Sequence, residues 1–269
     1  MTAAADLLKT VVAAARRAAD IRAGSTPAGA LDRAIAARAP NGAAFESRLA
    51  QTGVRVIAEC KRRSPSRGVL RVDYDPAVIA AGYAAAGAAA ISVLTEPTFF
   101  DGSLDHLRAV RAAVDIPLLR KDFIVTRFQI DEAAAAGADA VLLIVAALDD
   151  AALRDLHAHA RAVGLAVLVE VHDAEELRRT ADIGATVTGV NSRNLKTLEV
   201  STTTFDTLAP LLPRGAVAVA ESGLKSPAEL TRLAALGYRA FLMGERFMTA
   251  ADPGAALAAF VRPAGAARA

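Results

Sequence analysis

The sequence predicts an α/β fold, a (β/α)8 TIM barrel preceded by a helical extension. Three observations carry that prediction. Eight apolar runs alternate with eight helical patterns, at a repeat of roughly 20–30 residues. The runs are almost continuously hydrophobic, as parallel strands covered on both faces must be. Several of them end in charged or amide residues, and the C-terminal ends of barrel strands are where this architecture assembles active sites.

The runs are Val54–Lys61, Ala88–Glu96, Ile116–Phe123, Ala138–Leu148, Leu165–His172, Thr186–Asn194, Ala216–Gly223 and Tyr238–Glu245. The helical patterns that follow them are Pro76–Gly87, Leu104–Val114, Phe128–Gly137, Ala151–Val163, Glu175–Ile183, Phe205–Leu212, Ala228–Leu236 and Ala255–Val261. Asp75-Pro76, Ser226-Pro227 and Asp252-Pro253 each place a side-chain cap before a proline at the first helical turn. Gly87, Gly137, Gly164, Gly184 and Gly237 stand where helices stop. An open doubly wound sheet is the competing arrangement, but no Gly-x-Gly-x-x-Gly follows the first strand. Ahead of the barrel, Leu7–Ala19, Leu31–Ala37 and Ala43–Gln51 read as helices, with a turn at Gly24-Ser-Thr-Pro27. Residues 1–52 thus form an extension of one domain spanning 1–269. It could cap a barrel mouth or hang as a loosely attached tail.

Composition narrows the function classes. With 54% hydrophobic residues the chain is not disordered, and without Trp its core is aliphatic. Thirty-one Lys and Arg against 29 Asp and Glu leave a net charge of +2. That offers no basic stripe for nucleic acid, although Lys61-Arg62-Arg63 with Arg67 and Arg71 could attract an anionic substrate. The single Cys60 allows no internal disulfide and alternates onto the face opposite Glu59 and Lys61, so it is expected buried. No apolar stretch is long enough for a bilayer and no secretory signal opens the chain, so a cytoplasmic protein is expected.

The strand ends carry the chemistry. Glu59 and Lys61 share one strand face, either as a proton-transfer couple or as a structural ion pair. Lys121 closes an apolar run in a chain where Arg outnumbers Lys several-fold, and it shares a face with Phe123. Desolvation beside that ring is expected to lower its pKa. Glu170, between two valines at the end of an apolar strand, needs a partner or a task. Gly223 after the seventh strand and Gly244 after the eighth stand at the usual phosphate site of this fold. His106, His157 and His159 fall on helices, with solvent faces expected. His172 ends a strand two residues after Glu170 with no second ligand in sight. No Cys/His cluster suggests zinc.

The motifs together resemble those of indole-3-glycerol phosphate synthase. They run through Ile57-Ala-Glu-Cys-Lys-Arg-Arg-Ser-Pro-Ser66, Ile91-Ser-Val-Leu-Thr-Glu96, Phe99-Phe-Asp-Gly-Ser-Leu104, Leu119-Arg-Lys-Asp-Phe123 and Leu168-Val-Glu-Val-His172. They continue in Gly189-Val-Asn-Ser-Arg-Asn-Leu195, Ala220-Glu-Ser-Gly223 and Phe241-Leu-Met-Gly-Glu245. The likeness spans the barrel, while the first fifty residues match only in general character. It implies ring closure, decarboxylation and dehydration of 1-(2-carboxyphenylamino)-1-deoxyribulose 5-phosphate without a cofactor or metal. It implies Glu59, Lys61, Lys121, Glu170, Asn191 and Ser222 as the catalytic set, with Lys121 as acid and Glu170 as base. It further implies Ser64, Pro65, Phe99, Phe123 and Arg193 around the substrate. The phosphate positions are Lys61, Ser222, Gly223, Met243, Gly244 and Glu245, the last through its backbone N–H because a carboxylate would repel phosphate. The division of acid roles between Lys61 and Lys121 stays open. So does the choice between monomer and weak homodimer. Partners other than the phosphorylated small molecule are not expected, neither nucleic acid nor membrane. A Schiff-base aldolase would also want a Lys like Lys121, and a non-catalytic phosphate binder would be expected to lack one of the proton-transfer residues.

Overall fold

Eight parallel strands close into a barrel in the computed structural model, which describes residues 7–195 and 197–261. They are β1 (Arg55–Cys60), β2 (Ala90–Leu94), β3 (Leu118–Lys121), β4 (Ala140–Ile144), β5 (Ala166–Val171), β6 (Val187–Asn191), β7 (Val217–Glu221) and β8 (Ala240–Met243). Each pairs with its neighbours in sequence, and β8 returns to β1 with Arg55 beside Ala240 and Ile57 beside Leu242. The strands are shorter than the apolar runs because the runs' ends leave the ladder. The end of the fourth forms a 3₁₀ turn at Val145–Ala147, and the eighth passes into a short helix. The outer ends of the expected domain, 1–6 and 262–269, lie outside the described residues.

The helices are α1 (Leu7–Ser25), α2 (Ala30–Ala37), α3 (Gly42–Ala50), α4 (Pro76–Ala86), α5 (Pro97–Phe100), α6 (Leu104–Ala113) and α7 (Arg127–Ala135). The chain continues with α8 (Asp150–Val163), α9 (Ala174–Asp182), α10 (Thr203–Leu208), α11 (Pro227–Ala235), α12 (Glu245–Met248) and α13 (Pro253–Val261). Their starts follow the caps. The Asp75 carboxylate accepts from the N–H groups of Ala77 and Val78 at 3.0 and 3.1 Å, satisfying donors that the first turn leaves free. Gly87 ends α4 at φ 96°, a conformation that costs glycine nothing. Among the described residues, no helix is long and apolar enough to cross a membrane.

Strand alternation divides the core in two. Val56, Ala58 and Cys60 face the helices, whereas Ile57, Leu119, Leu142, Leu168, Val187 and Val219 fill the lumen. The extension completes the lumen from below. Phe45 and Leu49 of α3 pack among those lumen residues with no exposure, each burial stabilising the fold by about 2–3 kcal/mol. Gly42 lies so close to the backbone of Gly164–Ala166 that a β-carbon would overlap it. The extension is therefore not a loosely attached tail. At its other end, Leu8 and Val11 of α1 reach the C-terminal mouth of the barrel beside Ser64 and Pro65. The loop after β1 is ordered as a two-stranded ribbon that pairs Arg63–Ser64 with Gly68–Val69. Cys60 is buried as expected, and burial pushes its thiol pKa far up. His106, His157 and His159 are half-buried rather than on solvent faces: His106 packs edge-on against Tyr74, and His159 meets Asp131 at 2.7 Å.

Candidate active site

A cavity of about 660 Å³ opens at the C-terminal end of the barrel. Glu59, Lys61, Lys121, Glu170 and Asn191 all line it, brought together from β1, β3, β5 and β6. The cause is local. Each residue continues the inward-facing alternation of its strand past the last aliphatic layer, where the lumen widens.

Lys61 Nζ donates to Glu59 Oε1 at 2.5 Å. Lys121 Nζ donates to Glu170 Oε2 at 3.2 Å and stands 3.7 Å from Glu221 Oε2. The expected fall in the Lys121 pKa does not occur. Burial does pull it down, but Glu170, Glu221 and Glu59 outweigh burial and raise it above the ordinary lysine value. For Glu170, burial pushes upward and is outweighed by Lys121, His172 and Asn191, which hold it well below the carboxylate range. Glu221 goes the other way. Burial and the neighbouring Glu170 lift it well above that range, and neither of its carboxyl oxygens has a hydrogen-bond partner. Two carboxyl groups against one ammonium cannot both ionise cheaply, so Glu170 is held charged and Glu221 protonated.

Glu221 is the site residue that sequence reasoning missed. It ends the apolar run Val217-Ala-Val-Ala, which is the signal that singled out Glu170. Two glycines make room for these carboxylates. A β-carbon at Gly189 would overlap the Glu221 carboxylate, and one at Gly244 would meet Glu59 Oε1 at 2.5 Å.

The ends of β7 and β8 lie side by side, with Glu221 beside Leu242. Ser222 and Gly223 follow one strand end, and Met243 and Gly244 lie at the other. All four border the cavity, as do Lys61 and Glu245. Ser222 and Gly223 both take left-handed backbone, φ 68° and 72°. For Ser222 that conformation costs about 1 kcal/mol, and such strain collects at functional sites. Among the described residues, the N–H groups of Ser222, Gly223 and Gly244 donate to no backbone carbonyl. The Met243 side chain packs in the helix–sheet core. The Glu245 carboxylate is engaged by Arg67 Nε at 3.0 Å and Arg193 Nη2 at 3.8 Å.

The aromatic side of the cavity is made by Phe100 and Phe123, with ring centroids 6.5 Å apart. Phe99, the expected contact, lines a smaller adjoining cavity of about 90 Å³ together with Ser64 and Pro65. The difference arises from α5, a helix absent from the sequence reading. Glu96 caps it by accepting from the N–H groups of Thr98, Phe99 and Phe100, and that turn presents Phe100 inward. Arg193 borders both cavities; its N–H donates to Asn191 Oδ1 at 3.0 Å and its Nη1 to Leu198 O at 3.0 Å. Beside the site, Arg62 pairs with Asp101, tying the loop after β1 to the loop after β2.

The family model described as indole-3-glycerol phosphate synthase matches residues 8–260. An indole-3-glycerol phosphate synthase from Nocardioides sp. is 59% identical over 201 residues, covering 75% of this chain and 77% of that protein. One from Streptomyces griseus is 54% identical over 226 residues, 84% of each chain. Among solved structures, thiamine phosphate pyrophosphorylase from Pyrococcus furiosus superposes with a TM-score of 0.59 at 18% identity, covering 80% of this chain and 95% of that one. The 3-hexulose-6-phosphate synthase from Salmonella typhimurium gives 0.59 at 16% identity, covering 77% and 96%. These two share the barrel.

Proposed function

The chain belongs to the indole-3-glycerol phosphate synthase family, which serves tryptophan biosynthesis, and from that premise we propose how its residues divide the reaction. The substrate, 1-(2-carboxyphenylamino)-1-deoxyribulose 5-phosphate, loses carbon dioxide and water as the indole ring closes. Its anilino nitrogen feeds electron density into its own ring, so the reaction needs neither metal nor organic cofactor. Lys121 protonates the ketone oxygen as the ring carbon bearing the carboxylate attacks. Decarboxylation restores aromaticity. Loss of the hydroxyl then takes a proton from Lys61 or Lys121, and Glu170 removes the last ring-forming proton. Glu59 holds Lys61, while Asn191 and Arg193 orient substrate and carboxylates. Glu221, held neutral, gives Lys121 a second oxygen without adding a second charge.

One observation carries this assignment: the Lys121 ammonium between Glu170 and Glu221 on the cavity wall. An acid next to its base is the arrangement that proton transfer requires. The same carboxylates argue against a Schiff-base lysine, which must be a neutral amine to attack a carbonyl. The phosphate is assigned to the N–H groups of Ser222, Gly223, Gly244 and Glu245 with Lys61 beside them, and the anthraniloyl ring to the adjoining slot lined by Ser64, Pro65, Phe99, Phe100 and Phe123. Arg67 and Arg193 draw the Glu245 carboxylate aside, which leaves its N–H available to the anion. We assign the enzyme to the cytoplasm as a monomer or weak homodimer that engages neither nucleic acid nor membrane.

The test is the appearance of indole fluorescence from the anthranilate-linked deoxyribulose phosphate. Dialysis against a chelator is expected to leave the rate unchanged; loss of turnover restored by a divalent ion would refute the cofactor-free scheme. Borohydride with substrate is expected to trap no adduct at Lys121.

A further inference from the structure

His172 continues the inward face of β5 two residues beyond Glu170, yet it does not border the cavity. It lies behind Glu170. Its Nε2 is 3.5 Å from Glu170 Oε1, and Lys121 Nζ is 3.2 Å from Glu170 Oε2, so the two carboxylate oxygens face different cations. On the far side of the ring, Nδ1 is 3.0 Å from Glu176 Oε2 on α9. The same oxygen accepts the backbone N–H of His172 at 2.8 Å.

This geometry favours a doubly protonated ring. A carboxylate accepts only, so Nδ1 must carry a proton. In the neutral ring, Nε2 would then aim a lone pair at Glu170 Oε1, and Nε2 is buried with no hydrogen-bond partner to compensate. The imidazolium removes that repulsion. Burial works against the charge, but Glu170 and Glu176 prevail and push the His172 pKa up to about 10. The titratable groups facing this arrangement are Glu176 from α9, Glu170 on the same strand, and Lys121 and the neutral Glu221 across the lumen.

We propose that His172, held as a cation by Glu176, is a positioning residue that fixes the Glu170 carboxylate when Lys121 turns to the substrate. Lys121 has two tasks. It neutralises Glu170 in the free enzyme and protonates the ketone during the reaction, and it cannot do both at once. When it leaves, Glu170 faces Glu221 in a buried site with one cation fewer. His172 supplies the remaining charge from behind and takes no place in the cavity. The proposal rests on Glu170 being the base assigned above.

A purely structural role is the alternative, since Glu176 also caps the start of α9. The two separate in the full-length enzyme by comparing His172→Gln, Glu176→Gln and Glu170→Gln in kcat, KM and thermal midpoint. Glu176→Gln keeps an acceptor for the His172 N–H and removes the charge that sustains the imidazolium. Expected for His172→Gln is a kcat lowered about tenfold with KM changed less than about twofold, well short of the loss from removing the base itself. For Glu176→Gln, kcat is expected near the parent value at pH 6, with a decline toward pH 9 that the parent lacks. An unchanged kcat and pH profile in both variants, even with a lower thermal midpoint, would leave a helix cap and overturn the proposal. If His172→Gln does not fold, the profile of Glu176→Gln decides. A near-normal kcat for Glu170→Gln would overturn the base assignment and this proposal with it. A large loss there beside a normal His172→Gln would overturn this proposal alone.

Discussion

Lys121 and Arg120 are adjacent on β3, and they occupy two different kinds of buried charge cluster. Arg120 points outward between sheet and helices, and each of its three guanidinium nitrogens has a hydrogen-bond partner. Its Nε donates to Thr95 Oγ1 at 3.0 Å, Nη1 to Gln129 O at 2.6 Å and Nη2 to Asp122 Oδ2 at 2.9 Å. Glu132 stands 3.5 Å away and is itself held bidentately by Arg22 of α1, at 2.6 and 2.8 Å. Asp122 in turn accepts from the N–H of Phe123 at 2.8 Å. Lys121 points inward to a cavity, with one hydrogen-bonded carboxylate and one, Glu221, that has no hydrogen-bond partner at all. A buried charge whose nitrogens are all engaged inside the protein holds structure. A charge with unmade bonds facing a cavity is free to bind and to exchange protons.

The contrast is most sharply tested at its two centres. Lys121→Met and Glu170→Gln are each expected to lower kcat by roughly 10²–10⁴-fold while KM changes less. Both should fold, because Glu170 retains His172 and Asn191 and the cavity admits water. Near-normal turnover in folded Lys121→Met would end its role as the acid. Arg120→Met should do the reverse. It leaves buried Asp122 without its cation, while Glu132 keeps Arg22, and breaking a buried pair costs about 3–5 kcal/mol. That corresponds to a thermal midpoint lowered by roughly 10 °C for a chain of this size. A variant with unchanged midpoint would show that the cluster does not hold the fold.

A smaller effect is expected at the rim of the same cluster. Arg22→Ala removes a partly exposed partner from Glu132, which keeps Arg120, so the loss is about 1 kcal/mol by denaturant unfolding. A loss as large as that of Arg120→Met would mean that α1, not the barrel, supplies the cluster's stability. The smallest effect concerns pH. The folded-state pKa of His172 lies above the ordinary 6.5, at about 10, because its two carboxylate partners outweigh burial. Its contribution to stability is therefore complete below pH 6.5 and is lost as pH rises toward 10. Unfolding midpoints of the parent should fall across that window more than those of His172→Gln; parallel curves would refute the charged ring.

Much of this was legible in the sequence. The eight strands, their order and the cap residues follow from short-range patterns, and polar residues at strand ends marked Glu59, Lys61, Lys121, Glu170 and Asn191. The same rule applied to Glu221 but was overshadowed there by the neighbouring glycine. The resemblance pointed to Phe99, and the place of Phe100 beside it was not legible, because a four-residue helix has no periodicity to detect. The extension's docking was undecided because a mostly Ala-rich segment carries little information about what it covers.

By itself, then, the sequence determined which residues reach the catalytic mouth, since strand alternation and helix caps are properties of neighbours in the chain. Only the tertiary structure decided their charge states and tasks. Lys121, Glu170 and Glu221 belong to three strands separated by long stretches of chain, and their protonation depends on distances across the lumen. Sequence reasoning weighed Lys121 against the adjacent Phe123 and arrived at a lowered pKa. Burial is the largest single influence on it, but the acidic groups Glu170, Glu221 and Glu59, brought in from other strands, together outweigh it and reverse the sign.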